Sequence, residues 1–221
     1  TEEQITYIEN YIKSFDIKYY EVYMEILDHM ILSVEAILEE NNEISFEDAV
    51  LKAKVEGFGK KGFNGMMNEK QKQAQIQARK LNNKMIKEYF TFPKVVMTLT
   101  VFLGYFLFLS FFDEPMLTNL LSISVIAFLS IFQLVFSYKY RKQNGMHILK
   151  YQILTQMYSL SFIALNITNA LNILGKESID FDHILMRLFM TSVFTFSLIS
   201  LLVYIEIRKK TIEELKTQIF V

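Results

Sequence analysis

Glu25, Asp28 and His29 fall within about one helical turn if residues 17–40 are helical, and Glu25 and His29 at i and i+4 can in principle hold a cation between a carboxylate and an imidazole. The chain offers no second pair of that kind and no cysteine, so the spacing favours a solvated helix face, and no metal or cofactor is expected. The run GFGKKG at 57–62 sets two lysines among glycines, as phosphate-binding turns do. It lacks the Gly-x-x-x-x-Gly-Lys-Ser/Thr spacing and a preceding strand, and reads as a basic turn with Phe63, Met66 and Met67 able to touch a partner or a membrane surface. A third set consists of polar side chains inside apolar sequence. Gln152, Gln156, Ser159, Asn166 and Asn169 keep near one helical face, with Asn172 a little round from it, and Gln133, Ser122, Ser130, Ser137, Thr191 and Thr195 can face them. Such a seam is either interhelical packing or a hydrated path for a solute. No Asp or Glu lies deep in those runs, no Ser-His-acid set can be argued from spacing, and a non-enzymatic protein is expected.

The elements that must position these groups are of two kinds. Four apolar runs, 95–112, 116–138, 151–174 and 184–205, are each about as long as a helix needs to cross ~30 Å of hydrocarbon. Hydrophobic residues make up 52% of the 221 residues, yet 21% are charged, a mixture that implies two unlike parts. The expected fold is all-α: an N-terminal cytoplasmic helical bundle (1–58), a glycine hinge and basic helical stalk (59–93), and a four-helix transmembrane bundle (94–221) ending in a short cytoplasmic tail. Residues 1–16 begin with acids and show no basic region followed by an apolar core, so the first apolar run is expected to act as the insertion signal.

Basic residues near span ends favour the cytoplasmic side. Lys80, Lys84, Lys87 and Lys94 precede the first run; Lys139, Arg141, Lys142 and Lys150 join the second to the third; Arg208, Lys209 and Lys210 follow the fourth. The remaining connections are Asp113-Glu114-Pro115 and a segment around 175–183 whose only base is Lys176, beside Glu177, Asp180 and Asp182. Both termini are therefore expected in the cytoplasm. His147 and His183 then lie on opposite faces of the membrane and cannot share a site. Arg187 and Glu206 lie near opposite ends of the last run, where snorkelling explains them.

Within the head, Ile5, Ile8, Ile12 and Phe15 share one helical face, and Ile17, Tyr20, Met24, Leu27, Ile31, Val34 and Leu38 recur at three and four. On the flank of that seam lie Glu21, Glu25, Asp28, Glu35 and Glu39, a carboxylate stripe and the expected partner-binding surface. After Asn41-Asn42, Ser45 is placed to cap a third helix with Glu47 and Asp48 in its first turn. Residues 1–58 carry about 14 acids against 4 bases, and 59–94 about 9 bases against 2 acids. The stalk is thus drawn to anionic lipid while the head is held away and offered to cytoplasmic protein. An acidic head also repels nucleic acid, so any link to DNA runs through a partner. The aromatic-rich spans leave packing within the bundle, against lipid or against a second copy in a homo-oligomer equally open.

The helix KYYEVYMEILDHMILSVEAILEE, the acidic connector NNEISFEDAVLKAKVEGFG and the glycine turn before a membrane-directed helix together resemble a family of bacterial membrane proteins with an N-terminal HAAS-type helical domain. The family's turn is commonly Gly-x-Pro; here it is Gly57-Phe58-Gly59. The resemblance covers the head and the overall layout. It implies a regulatory role in the bacterial inner membrane without an active site, and a cytoplasmic partner such as a transcriptional regulator of the PadR type.

Overall fold

Thr1 opens the first helix by accepting a hydrogen bond from the Gln4 amide at 3.4 Å while the Gln4 side chain reaches back, a reciprocal cap that needs only Thr-x-x-Gln. That helix, α1 (Glu2–Lys13), buries Ile8 and Ile12 and leaves Ile5 exposed. The computed structural model describes residues 1–41, 43–157, 159–175 and 180–218. The turn residue Asn42 and the connection at Lys176 and Glu177 lie outside the described residues. The chain divides into two compact units: 1–77 with 140–152, and 78–139 with the described residues from 153 onward.

In the first unit, α2 (Tyr20–Glu40) packs against both α1 and α3 (Phe46–Phe58), which Ser45 caps by accepting from the Asp48 amide at 3.1 Å. Two neighbours require a wider buried face than one seam. Val22, Tyr23, Ile26, Leu27, Met30, Val34 and Ile37 are buried, whereas Met24 is exposed and Tyr20, Ile31 and Leu38 are half-buried. The apolar stripe is thus rotated by about one residue from the seam expected of the spacing.

The glycine segment makes one 3₁₀ turn, Gly59–Lys61, flanked by Gly59 at φ 56° and Gly62 at φ 55°, a backbone region that other residues enter only with strain. The chain turns there and is immediately packed down. Phe63, 1% exposed, meets Phe58 at 4.7 Å, Phe15 at 5.1 Å and Tyr11 at 6.4 Å edge-on, and the Lys54 ammonium lies 4.2 Å over the Phe15 ring. From Gly62 a long helix, α4 (Gly62–Glu88), begins in this unit and ends in the other.

In the second unit, α5 (Lys94–Leu109), α6 (Pro115–Ser137), α8 (Ser159–Gly175) and α9 (Ile184–Gln218) pack as a bundle, α6 and α5 each against α9, and α8 against both α6 and α9. Tyr105 stacks on Phe194 at 3.6 Å and donates its hydroxyl to buried Asn119 at 3.1 Å. Serines along α6 satisfy themselves within the helix, Ser122, Ser124 and Ser130 each donating to a carbonyl one turn back.

The expected four-span bundle is overturned. Among the described residues two helices are long and apolar enough to cross a membrane, Pro115–Tyr140 (26 residues, mean hydropathy 2.3) and Ile184–Thr217 (34 residues, 2.1). The run at 95–112 yields a helix of 16 residues, about 24 Å at 1.5 Å per residue, short of the ~30 Å core. Across the run at 151–174 the described residues form α7 (Leu149–Met157) and α8, of 17 residues, with Tyr158 outside the described residues, so no single described helix covers that run. Only 28% of the apolar window in Pro115–Tyr140 is buried, whereas a core helix of a soluble protein is mostly enclosed. Leu121, Val125, Phe128, Val135 and Phe136 present an exposed apolar face, as in a membrane-associated protein.

Phe63→Ala should destabilise the first unit by about 3–5 kcal/mol through the cavity left among three rings, read as a lower denaturant midpoint for exchange protection in α1 to α3. Leu32→Ala, on the exposed side of α2, should stay within about 0.5 kcal/mol of wild type.

Candidate functional site

The segment between α6 and α7 folds onto the head, within the first unit. Asn144 at φ 48° and Gly145 at φ 80° form a turn with two positive φ angles, the kind that matches the twist of a two-residue hairpin. It joins β1 (Lys142–Gln143) to β2 (Met146–His147), paired antiparallel with Lys142 opposite His147. The outer edge of β2 is not left open: the His147 amide donates to the Lys18 carbonyl at 3.0 Å, and Tyr19 and His147 form a parallel bridge.

Tyr19 is extended (φ −114°, ψ 128°) just before α2, so the following turn of α2 presents Glu21 to the start of α7. Glu21 Oε2 accepts from the Leu149 amide at 2.9 Å and Oε1 from the Lys150 amide at 3.2 Å. These are two of the N–H groups that a helix start leaves without intrahelical partners, and the carboxylate also meets the positive end of the helix dipole. A residue 128 positions away thus caps α7. Ile148, Leu149 and Tyr151 are buried around the contact, as is Tyr19. Burial pushes the Tyr19 hydroxyl above its ordinary range, opposed by its hydrogen bond with Gln152. His147 is held below its ordinary value by burial first and then by the charges of Lys142 and Arg141.

The carboxylate stripe therefore separates by position. Glu21 is engaged within the chain, and Glu25 pairs with Lys70 of α4. Asp28, Glu35 and Glu39 remain exposed on one side of α2. His29 lies edge-on to Phe58, and among the described residues no group of three or more His, Asp or Glu side chains is placed to hold a metal.

The polar seam is dispersed. Gln152 belongs to the first unit, Gln156 is exposed, Asn166 and Asn169 are exposed on α8, and the side chains of Ser159 and Asn172 lie outside the described residues. Gln133 is used differently, accepting from Arg208 Nη1 at 2.8 Å between α6 and α9. His183 serves locally at the start of α9, its Nδ1 accepting from the Leu185 amide at 3.3 Å. Of the basic residues, Lys80, Lys84, Lys87, Lys139 and Lys142 are exposed, Arg141 is half-buried, and Lys94 binds Glu88 at 3.0 Å.

Sequence reasoning passed over Lys18, Tyr19, Asn144 and Gly145, and the roles of Glu21 and His147. The Asn-Gly dipeptide is a hairpin signal that was there to be read. No protein-family profile, curated protein or solved structure matches the chain.

Glu21→Ala should cost about 1–3 kcal/mol by leaving two helix-start amides uncapped. Faster hydrogen exchange at Leu149 and Lys150, with α3 unchanged, is the expected reading. Because the folded structure lowers the affinity of His147 for a proton, its contribution to stability is complete above the unfolded value of about 6.5 and is lost as pH falls from there toward the folded value. An NMR titration should place His147 below the ordinary histidine value, and exchange protection of the hairpin should weaken modestly over the same acid range.

Proposed function

We propose that this chain is a non-enzymatic regulatory or adaptor protein of the bacterial cytoplasmic membrane, whose acidic helical head binds a cytoplasmic protein partner. The observation that carries the reading is the Glu21 cap, because it ties the helix that displays the carboxylates to the segment directly following an apolar helix long enough to span a bilayer. A partner taking hold of α2 thereby acts on the start of α7, and a change at the end of α6 acts on α2. Asp28, Glu35 and Glu39 are the docking groups, since Glu21 and Glu25 are already engaged.

The bases Lys139, Arg141, Lys142 and Lys150 favour the cytoplasm for the segment 140–152, and with it for the head that forms one unit with that segment. The resemblance of the head to HAAS-type domains supports a transcriptional regulator of the PadR type as the partner, with DNA contacted by that partner alone. The solute-pathway reading has less support, because Asn166 and Asn169 are exposed and Gln152 belongs to the head unit.

The test is mass spectrometry of proteins that co-purify with the full chain in mild detergent, against a variant carrying Asp28→Lys, Glu35→Lys and Glu39→Lys. Loss of a specific cytoplasmic protein from the folded variant, with membrane extraction unchanged, is expected. Identical capture by both forms would sink the assignment.

A further inference from the structure

The end of α4 carries a feature that the adaptor role does not use. Lys80, Lys84 and Lys87 are spaced to share one face and are exposed. With Asn83 and Thr91 they line an open groove of about 530 Å³ on the second unit. Among the described residues none of the three lysines closes an ion pair. The one acid in the groove, Glu88, is already taken by Lys94 at 3.0 Å. Its carboxyl is held below the usual range first by that hydrogen bond, then by the Lys94 charge, with further contributions from Lys84 and from Lys210 of α9. The groove thus keeps an uncompensated positive charge with the Asn83 amide beside it, while the Thr91 hydroxyl donates to the Glu88 carbonyl at 3.0 Å.

What borders the groove selects the ligand. Phe90 and Phe92, 55% and 84% exposed, follow it directly, and Val96, Leu99 and Leu103 continue an exposed apolar strip along α5. A dissolved anion would gain only the lysines. A lipid gains them through its phosphate and the aromatic and aliphatic strip through its chains. We propose that Lys80, Lys84 and Lys87, with Asn83 and Thr91, form a headgroup site for an anionic phospholipid whose acyl chains lie along Phe90, Phe92 and α5. The site rests on the membrane association proposed above and is independent of any protein partner.

The experiment uses the full chain in nanodiscs of phosphatidylcholine containing a minority of phosphatidylglycerol, with the lipid retained on extraction counted by native mass spectrometry. Wild type should retain phosphatidylglycerol selectively, and K80Q/K84Q/K87Q should bind it about a hundredfold more weakly at low salt. K80R/K84R/K87R should retain it, which separates charge from folding. F90S/F92S should lose the lipid, and soluble glycerol phosphate should not displace it from wild type. Equal retention by wild type and the glutamine variant would overturn the site. Glycerol phosphate binding equally to wild type and F90S/F92S would make it a site for a soluble anion and overturn the lipid assignment. Resistance to alkaline extraction from membranes is measured in parallel: a chain released by alkali fails the membrane reading itself, whereas a retained chain without lipid selectivity fails only the headgroup site.

Discussion

One carboxylate joins the two stretches of sequence that make up the first unit. The Glu21 side chain occupies the open amides of Leu149 and Lys150, and without it the start of α7 would present unpaired donors beside buried Ile148 and Leu149. A buried or half-buried helix start needs an acceptor, and the preceding residues cannot supply one: they are committed to the hairpin, where the Ile148 amide donates to the Arg141 carbonyl at 3.0 Å. The acceptor therefore comes from α2. The bridge between Tyr19 and His147 fixes the approach of the two segments so that the carboxylate arrives with both oxygens engaged. Hydrogen bonds to an ionised acceptor are about twice as strong as neutral ones, and the contact consequently places the connector and α2 in one cooperative unit.

A second constraint is length. An apolar run becomes a span only if one unbroken helix covers the hydrocarbon, and this chain meets that condition in α6 with its 3₁₀ extension and in α9. Among the described residues α5 is shorter, and it packs against α9. The outward faces of α5 and α6 stay apolar, with Leu99, Leu103, Leu121 and Val125 all exposed, while the inward faces carry the stacked Tyr105 and Phe194 and the satisfied Asn119. Exposed apolar faces on α5 and α6 are the reverse of what water favours, and they support the membrane association drawn from length and composition.

Local signals were legible in the residues; long-range ones were not. Ser45 could be placed as a cap because the cap and its target are three residues apart, and the helical head followed from spacing alone. The buried face of α2 was misjudged by about one residue because Met24, Ile31 and Leu38 are as apolar as Val22, Ile26 and Met30, and only the presence of α1 and α3 on two sides decides between them. Glu21 looks identical in sequence to Glu25 and Asp28. What distinguishes it is a helix start 128 residues away, which no periodicity contains.

The same logic explains why the acidic stripe is left exposed only in part. Carboxylates on one helix face are interchangeable until a partner is brought near, and folding brings two partners to this one: the amides of α7 to Glu21 and the Lys70 ammonium to Glu25. Those two acids are engaged before any binding event, and desolvating them against another protein would first require their present contacts to be broken. Asp28, Glu35 and Glu39 carry no such cost, so a basic partner meets its most accessible charges toward the middle and C-terminal end of α2. The pull of such a partner is transmitted along a rigid helix to Glu21, where the least replaceable contact of the unit is made. In the proposed adaptor, recognition and coupling would thus fall to different carboxylates of a single stripe, separated by which of them folding has already used.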